Sequence, residues 1–142
     1  MAAQVRFADV EVGTELPALS LSIQRWNLIQ YAGASGDFNI IHWSERIATL
    51  VGLPNVIAHG MYTMALAARV VTEWVGDPGA LLDYSVRFSR PVVVPDDEAG
   101  ASLTVSGRVE EKLDDQRVVV VITAEVDGSS VLTGARATVR LS

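Results

Sequence analysis

The residue types in one short segment are suited to moving protons. The segment GDFNIIH places Asp37 shortly before His42, which is one of only two histidines in the chain. A carboxylate and an imidazole can act as acid and base at neutral pH, because the unperturbed pKa of imidazole is about 6.5. Side chains at this spacing, across a loop that enters a helix, can face one cavity. Asp37 and His42 are therefore a candidate catalytic pair.

The same segment also has a purely structural interpretation. Gly36 and Asp37 followed by Asn39 are typical of a turn, because Asp and Asn side chains hydrogen-bond to nearby backbone. A histidine that follows two isoleucines is often a buried structural residue. The spacing alone leaves both interpretations open.

A second candidate lies at His59 and Gly60, where the chain enters a long apolar segment. Free N–H groups at the start of a helix attract negative charge, and Gly60 has no side chain to obstruct a ligand. An oxygen that gains negative charge during a reaction would be stabilised there. The alternative is that His59 caps the helix and Gly60 permits a tight turn.

Two helices are predicted to flank the candidate pair. Trp26 and Ile29 lie at helical spacing and predict a helix that ends before Asp37, with Ser22 as its expected N-cap. A second short helix is predicted over residues 44–51, where Gly and Pro follow the apolar residues. The candidate pair therefore occupies the connection between two helices.

The most informative element is predicted over residues 60–75. Its only charged residues are Arg69 and Glu73, which are spaced i, i+4, and the rest is apolar or small almost all round. A helix of this composition is typically buried. We therefore expect other elements to cover it, with Met61 and Met64 as core residues.

The remainder of the chain predicts strands. Apolar residues alternate over 84–88, 103–109 and 131–141, whereas 118–122 is a continuous apolar run typical of a central strand. Asp127 and Gly128 predict a hairpin. The order is a strand, a helical middle and then four antiparallel strands. This predicts an α+β fold in which a curved antiparallel sheet covers the central helix.

Composition excludes several classes of protein. The chain has 142 residues and a net charge of −6, which predicts one domain over residues 1–142 and argues against binding nucleic acid or an anionic membrane. It contains no cysteine, so disulfides and thiolate sites are excluded. The start lacks the apolar region of a signal peptide, and no apolar run is long enough to span a membrane. We expect a soluble, cytoplasmic protein.

Other catalytic motifs are missing from the sequence. Two histidines without an HExxH pattern make a weak metal site, and there is no GxSxG, P-loop or dinucleotide-binding motif. Arg87 and Arg90 could contact a phosphate-bearing carrier, although an exposed strand face is the simpler interpretation.

Several linked motifs resemble one known family. YAGASGDFNIIH resembles the hydratase signature of MaoC-like dehydratases, and IAHGMYTMALAARVV resembles the His-Gly-Met segment that begins their central helix. The opening FADVEVGTELP and the later YSVRFSRPVVVPD also resemble family segments, and the similarity runs from about Phe7 to the C-terminus.

The resemblance implies a hot-dog fold, in which an antiparallel sheet wraps a long helix. It implies reversible hydration of a trans-2-enoyl thioester to the (R)-3-hydroxyacyl thioester, with Asp37 and His42 as catalytic residues. Asn39 matches the asparagine of the signature and would support the loop. Gly60 matches the residue whose backbone N–H polarises the thioester carbonyl. The implied substrate is carried on acyl carrier protein or coenzyme A, and no metal or redox cofactor is implied.

The acyl chain is expected to lie along the central helix, beside Met61, Met64 and Ala65, and His59 is expected to bind substrate or support the loop. One departure from the signature is Ile40, which stands where the family has a proline that would stiffen the loop. Two alternatives remain, a hot-dog thioesterase and a non-catalytic acyl-binding subunit.

Within the family the chain looks most similar to HadB-type (3R)-hydroxyacyl-acyl-carrier-protein dehydratase subunits, through GLPNVIAHGM and VTEWVGDPGA. This resemblance implies either a homodimer or a heterodimer with a non-catalytic sister subunit. Pairing would also cover an exposed strand edge.

Overall fold

The computed structural model describes residues 4–142. Residues 1–3 lie outside this range. They belong to the opening segment from which the absence of a signal peptide is predicted. The helices are α1 (Arg25–Ser35), α2 (Glu45–Leu50) and α3 (Gly60–Val75). The strands are β1 (Glu15–Ile23), β2 (Leu81–Phe88), β3 (Ala101–Lys112), β4 (Arg117–Val126), β5 (Ser129–Ser130) and β6 (Leu132–Arg140). Short 3-10 helices occupy Phe7–Asp9, Ile40–His42 and Pro78–Ala80.

The strands form one antiparallel sheet in the order β1-β3-β4-β6-β2, and β5 pairs with β4. The continuous apolar run lies in β4, between β3 and β6, with Val118 and Val120 fully buried. Helix α3 contacts β1, β2, β3, β4 and β6, so it lies across the sheet. The structure therefore has the predicted α+β arrangement, with the short β5 added to the expected strands.

The predicted hairpin joins β4 to β5. Asp127 and Gly128 have φ values of 50° and 72°, and they connect the paired residues Val126 and Ser129. Two successive residues in the left-handed region match the turn that Asp-Gly favours between antiparallel strands. The hairpin prediction is confirmed.

Helix α3 has the predicted bounds but not the predicted burial. Only one face is buried within the chain, through Thr63, Ala67, Val70, Val71 and Val75. Met61 is 58% exposed, and Ala65 is also exposed on the opposite face. The sheet formed within residues 4–142 covers one side of the helix and leaves the other side open. No helix within residues 4–142 is long and apolar enough to cross a membrane.

The start of α1 also differs from the prediction. Ser22 lies within β1, where its Oγ donates to the carbonyl of Ala99 at 2.8 Å. The N-cap is Gln24, whose N–H donates to Oδ1 of Asn27 at 2.8 Å in a capping box. Gln24 is an uncommon cap, so the usual Ser, Thr, Asp and Asn signal pointed to the wrong residue.

The apolar residues that predicted α1 do not face the core. Trp26 and Ile29 are 55% and 57% exposed, whereas Leu28 and Ala32 are buried. The two buried residues also lie at helical spacing, so the pattern marked the helix correctly and its inner face wrongly. The exposed apolar face of α1 is a second surface that the chain itself leaves uncovered.

Candidate active site

Two successive turns shape the loop between α1 and α2. Gly36 ends α1 in the left-handed conformation, with φ of 77°. Oδ1 of Asp37 then accepts a hydrogen bond from the N–H of Asn39 at 3.2 Å, and Oδ1 of Asn39 accepts from the N–H of Ile41 at 3.3 Å. The structural interpretation of the segment is thus correct, because the side chains of Asp37 and Asn39 both support the loop.

His42 has a defined tautomer. Its side chain is 8% exposed, and Nδ1 lies 2.7 Å from the carbonyl oxygen of Ile57. A carbonyl can only accept, so Nδ1 carries a proton, and Nε2 is the nitrogen that has a free lone pair when the ring is neutral. Nε2 lies 3.9 Å from Oδ2 of Asp37. His42 is therefore oriented to accept a proton at Nε2.

Asp37 is more accessible than a buried catalytic carboxylate. Its side chain is 52% exposed, and one oxygen supports the turn while the other approaches His42. A separation of 3.9 Å is too long for a hydrogen bond, but groups that act on one substrate need only converge on it. The structure brings the predicted pair together without a direct bond between them.

His59 lies behind both members of the pair. It is 1% exposed, and its Nε2 donates to the backbone carbonyl of Asp37 at 3.0 Å. Its ring stacks on His42 with centroids 3.8 Å apart, and it also packs against Tyr31. Burial lowers the pKa of His59, and the Asp37 carbonyl partly opposes this shift. The side chain makes no capping bond to α3, so the expected capping role is not seen.

One cavity joins His42 to the start of α3. It has a volume of about 290 Å³, and both His42 and Gly60 line it. The N–H of Gly60, the first residue of the helix, has no intrahelical acceptor. Other lining residues include Thr63, Phe88, Ser89, Arg90, Val131 and Leu132. His42 and the helix start thus meet at one largely apolar cavity, whereas Asp37 lies beside His42 and is not among the lining residues.

The expected acyl-contacting residues of α3 lie elsewhere. Met61, Met64 and Ala65 are not among the residues that line this cavity. Met61 and Ala65 are exposed, and the carbonyl of half-buried Met64 accepts a hydrogen bond from the Tyr84 hydroxyl at 2.9 Å. Burial raises the pKa of Tyr84 to about 12, so this hydroxyl remains a donor.

On the other side of the cavity, Arg90 was a candidate from sequence, but its apolar neighbours were not predicted. Phe88 and Val131 come from the sheet side, at the end of β2 and just before β6. The segment after β2 is held by long-range pairing, in which Ala58 donates to Val92 at 2.8 Å and Val94 donates to Val56 at 2.9 Å. The clean alternation around Phe88 indicated a strand, but no local signal indicated what it would face.

Arg25 links the chain segments that surround the site. Its guanidinium donates to the carbonyl of Val94 at 2.5 Å, to Glu45 at 2.9 Å and to Asn55 at 3.1 Å. Bonds from Arg25 and then Asn55 lower the pKa of Glu45. One side chain thereby joins the starts of α1 and α2 to both segments that approach the cavity.

The three polar side chains of the site also form a potential metal cluster. Donor atoms of Asp37, His42 and His59 all lie within 4.8 Å of one another. However, one nitrogen of each ring already donates to a backbone carbonyl, and the rings stack with 25° between their planes. Lone pairs in the planes of stacked rings do not converge on one point, so the arrangement suits proton transfer better than metal binding.

Comparison with known proteins places the chain in a family. A family profile described as MaoC like domain matches residues 7–129. The chain belongs to the MaoC-like family. It is 32% identical over 129 residues to the (R)-specific enoyl-CoA hydratase of Rhodospirillum rubrum, with 90% of this chain and 86% of the relative covered. It is also 40% identical over 79 residues to 3-hydroxyacyl-thioester dehydratase X of Mycobacterium tuberculosis, with 56% of this chain and 27% of the relative covered.

Solved structures confirm the predicted hot-dog fold. A MaoC-like dehydratase has a TM-score of 0.93 and 43% identity, with 96% of this chain and 42% of that chain covered. The HadBC dehydratase complex from Mycobacterium tuberculosis has a TM-score of 0.68 at 21% identity, with 89% of this chain and 94% of that chain covered, and therefore shows the shared fold alone. This chain spans less than two thirds of several proteins that it matches, with 27% and 57% of two curated relatives and 42% of the MaoC-like dehydratase structure covered.

Ile40 occupies a position that would accept the proline of the family signature. Asn39 has φ of −54° and ψ of 128°, the extended conformation that a residue before proline adopts. Ile40 is the first residue of a 3-10 helix, where a backbone N–H has no partner inside the helix. The loop is held instead by the Asn39 side chain and by the N–H of Ser44, which donates to the Ile40 carbonyl at 2.9 Å.

Restoring the proline should stabilise the protein. We expect Ile40→Pro to raise the free energy of unfolding by about 0.4–1 kcal/mol, because it restricts the unfolded chain at a compatible position. Urea unfolding of Ile40→Pro beside Ile40→Ala separates this effect from loss of the partly exposed isoleucine. A Pro variant less stable than the Ala variant would show that the loop does not hold the described conformation.

Proposed function

We propose that this chain catalyses the reversible dehydration of an (R)-3-hydroxyacyl thioester to the trans-2-enoyl thioester. The observation that carries the proposal is the cavity lined by both His42 and the start of α3, with Asp37 beside His42. This arrangement supplies a base, a second proton-transfer group and a backbone donor in one place. Membership of the MaoC-like family and the names of its hydratase relatives support the same reaction.

Each group has a distinct task in this mechanism. In the dehydration direction, Nε2 of His42 removes the C2 proton, and the Gly60 N–H stabilises the negative charge that develops on the thioester oxygen. The C2–C3 double bond forms as the C3–O bond breaks. The leaving hydroxyl takes up a proton through Asp37, and the proton that His42 removed from C2 replaces it, so the site returns to its starting state and one water molecule is released. Hydration follows the same steps in reverse.

The remaining wall of the cavity supports an acyl thioester as substrate. Phe88, Val131 and Leu132 offer apolar surface for the acyl chain, while Arg90 adds a positive charge to the wall. A positive charge suits the phosphate of a phosphopantetheine carrier, whether on coenzyme A or on acyl carrier protein. The reaction as written needs only the substrate, water and protein groups, with no cofactor.

An enoyl-thioester assay tests the proposal. Purified protein is mixed with trans-2-enoyl-CoA substrates of several chain lengths, and loss of enoyl absorbance, the chirality of the product and release of free thiol are followed together. Loss of absorbance with an (R)-product and no thiol supports the proposal. Thiol release without hydration contradicts it and favours the thioesterase. Acyl-thioester binding without turnover favours a non-catalytic subunit.

We further propose that the active form is a dimer, either of two copies of this chain or with a sister hot-dog subunit. Apolar residues remain exposed on α1, on the loop between α1 and α2 and on α3, including Trp26, Ile29, Phe38, Trp43 and Met61.

We also propose a single hot-dog domain over residues 1–142 and a cytoplasmic location. The continuous sheet is consistent with a single domain. The cysteine-free sequence is consistent with a reducing cytoplasm.

A charge on the open face of α3 should weaken the dimer. We expect Met61→Lys to move the protein towards monomer, because a buried ammonium at an apolar interface is unfavourable. Light scattering after size exclusion gives the mass, with Met61→Leu as the control that keeps the surface apolar. A Lys variant that stays fully dimeric would exclude this face from the interface. A wild-type monomer that gains activity only with a sister subunit would favour the heterodimer.

A further inference from the structure

We propose that His59 is the positioning residue that holds Asp37 and His42 in register, a role that rests on the proposed function. The contacts of one ring carry the inference. His59 bonds the backbone of Asp37, stacks on the imidazole of His42 and immediately precedes Gly60. It therefore touches or adjoins all three groups to which the mechanism assigns a task.

The hydrogen bond from His59 fixes the position of the Asp37 backbone, and therefore the point from which the Asp37 side chain extends. Nε2 of His59 donates to the Asp37 carbonyl at 3.0 Å, so it is protonated. The carboxylate itself is half exposed, and it contacts its own turn more closely than it contacts His42. The His59 bond thus anchors the backbone of Asp37 from the protein interior, while the turn orients its side chain.

The stack on His42 controls the plane of the base. The two rings lie 3.8 Å apart with 25° between them, and Nδ1 of His42 is fixed separately by the Ile57 carbonyl. Together these contacts leave little freedom for the ring to turn away from the cavity. The ring of Tyr31 also packs against the ring of His59, with centroids 4.7 Å apart, and so supports the stack.

A histidine is a costly choice for this position. With Nε2 protonated, a neutral ring leaves Nδ1 as an acceptor, and this buried atom has no hydrogen-bond partner among residues 4–142. Unsatisfied buried polar atoms destabilise a fold, whereas a ring of similar shape without nitrogen would not. Burial lowers the pKa of His59, which keeps the ring neutral beside His42. A residue kept for packing alone would not need this nitrogen.

Opposite effects on activity and stability test the role. We expect His59→Phe to lower kcat for enoyl-thioester hydration by about 10–100-fold, because small displacements of catalytic groups can reduce rates by this order. KM should change less than about threefold, and the thermal midpoint should remain or rise. His59→Gln and His59→Met form a matched pair, because only Gln keeps an N–H donor, and Gln should retain more of the kcat. The pair also serves if the Phe variant fails to fold.

Nitrogen-15 spectra of the His42 ring give a readout independent of turnover. We expect a single Nδ1–H tautomer in the wild type and in His59→Phe, which keeps a ring against His42, and a mixture in His59→Met, which removes the stack that helps to hold His42 against the Ile57 carbonyl. Wild-type kcat in both the Phe and Met variants, or an unchanged His42 tautomer in the Met variant, would overturn the positioning role. An inactive wild-type protein whose His42 tautomer still depends on His59 would instead count against the proposed reaction alone.

Discussion

Replacing His42 with alanine should lower kcat for enoyl-thioester hydration by about 10²–10⁴-fold, the usual contribution of a positioned acid–base group. The reason is geometric. Nδ1 of His42 is committed to the Ile57 carbonyl, so Nε2 is the nitrogen available to take a proton at the cavity. KM should change much less, because the imidazole contributes little to holding an acyl chain. The measurement is the initial rate of enoyl absorbance change over a range of substrate concentrations.

Asp37→Asn is the matched change for the carboxylate. An asparagine keeps an oxygen that can accept from the N–H of Asn39, so the turn is preserved while the ionisable group is lost. We expect a loss of kcat of similar order to that in His42→Ala. The double variant should be only slightly slower than either single variant, because groups that act as a unit are strongly non-additive.

Circular dichroism and thermal unfolding of each variant provide the folding control. The mechanism is wrong if folded Asp37→Asn and His42→Ala proteins both turn over substrate at the wild-type rate. Loss in His42→Ala alone would restrict proton transfer to the imidazole and leave Asp37 with the turn.

Local features of this fold were predictable from sequence because their causes are local. The bounds of α3 follow from an apolar run that begins after His59 and ends at Gly76, which adopts the left-handed conformation. The hairpin at Asp127 and Gly128 follows from their tolerance of positive φ. The segment that contains Asp37 and His42 was likewise a candidate site from sequence, because the two residues are close together in the chain and their types are suited to proton transfer.

Features that depend on distant segments were not predictable in the same way. The buried face of α1 is set by what the helix packs against. The spacing of Trp26 and Ile29 therefore predicted a helix but not which of its faces is buried, and both residues are exposed. The sheet side of the cavity depends on pairing between residues 56–58 and 92–94, which are far apart in the chain. The stack of His59 on His42 has the same origin, since two separate segments place the rings together.

The backbone donor at Gly60 can be removed without removing the helix. Proline has no N–H, and it is well tolerated as the first residue of a helix, which is the position of Gly60 in α3. The preceding residue, His59, already has φ of −59° and ψ of 132°, an extended conformation compatible with a following proline. Gly60→Pro is therefore a deletion of one N–H from a site whose backbone already suits the replacement.

Gly60→Pro should lower kcat by about 10²–10³-fold, the effect of losing one donor to a developing oxyanion. Gly60→Ala is the control, because it keeps the N–H and adds only a Cβ, which would lie 3.2 Å from the Phe88 ring. That contact is tight, but Phe88 is 53% exposed and its ring has room to move, so the Ala variant should lose far less activity. Helical content and the thermal midpoint establish that α3 is intact in both. Equal kcat in the two variants would mean that the Gly60 N–H stabilises no charge, and another donor at the cavity would have to be sought.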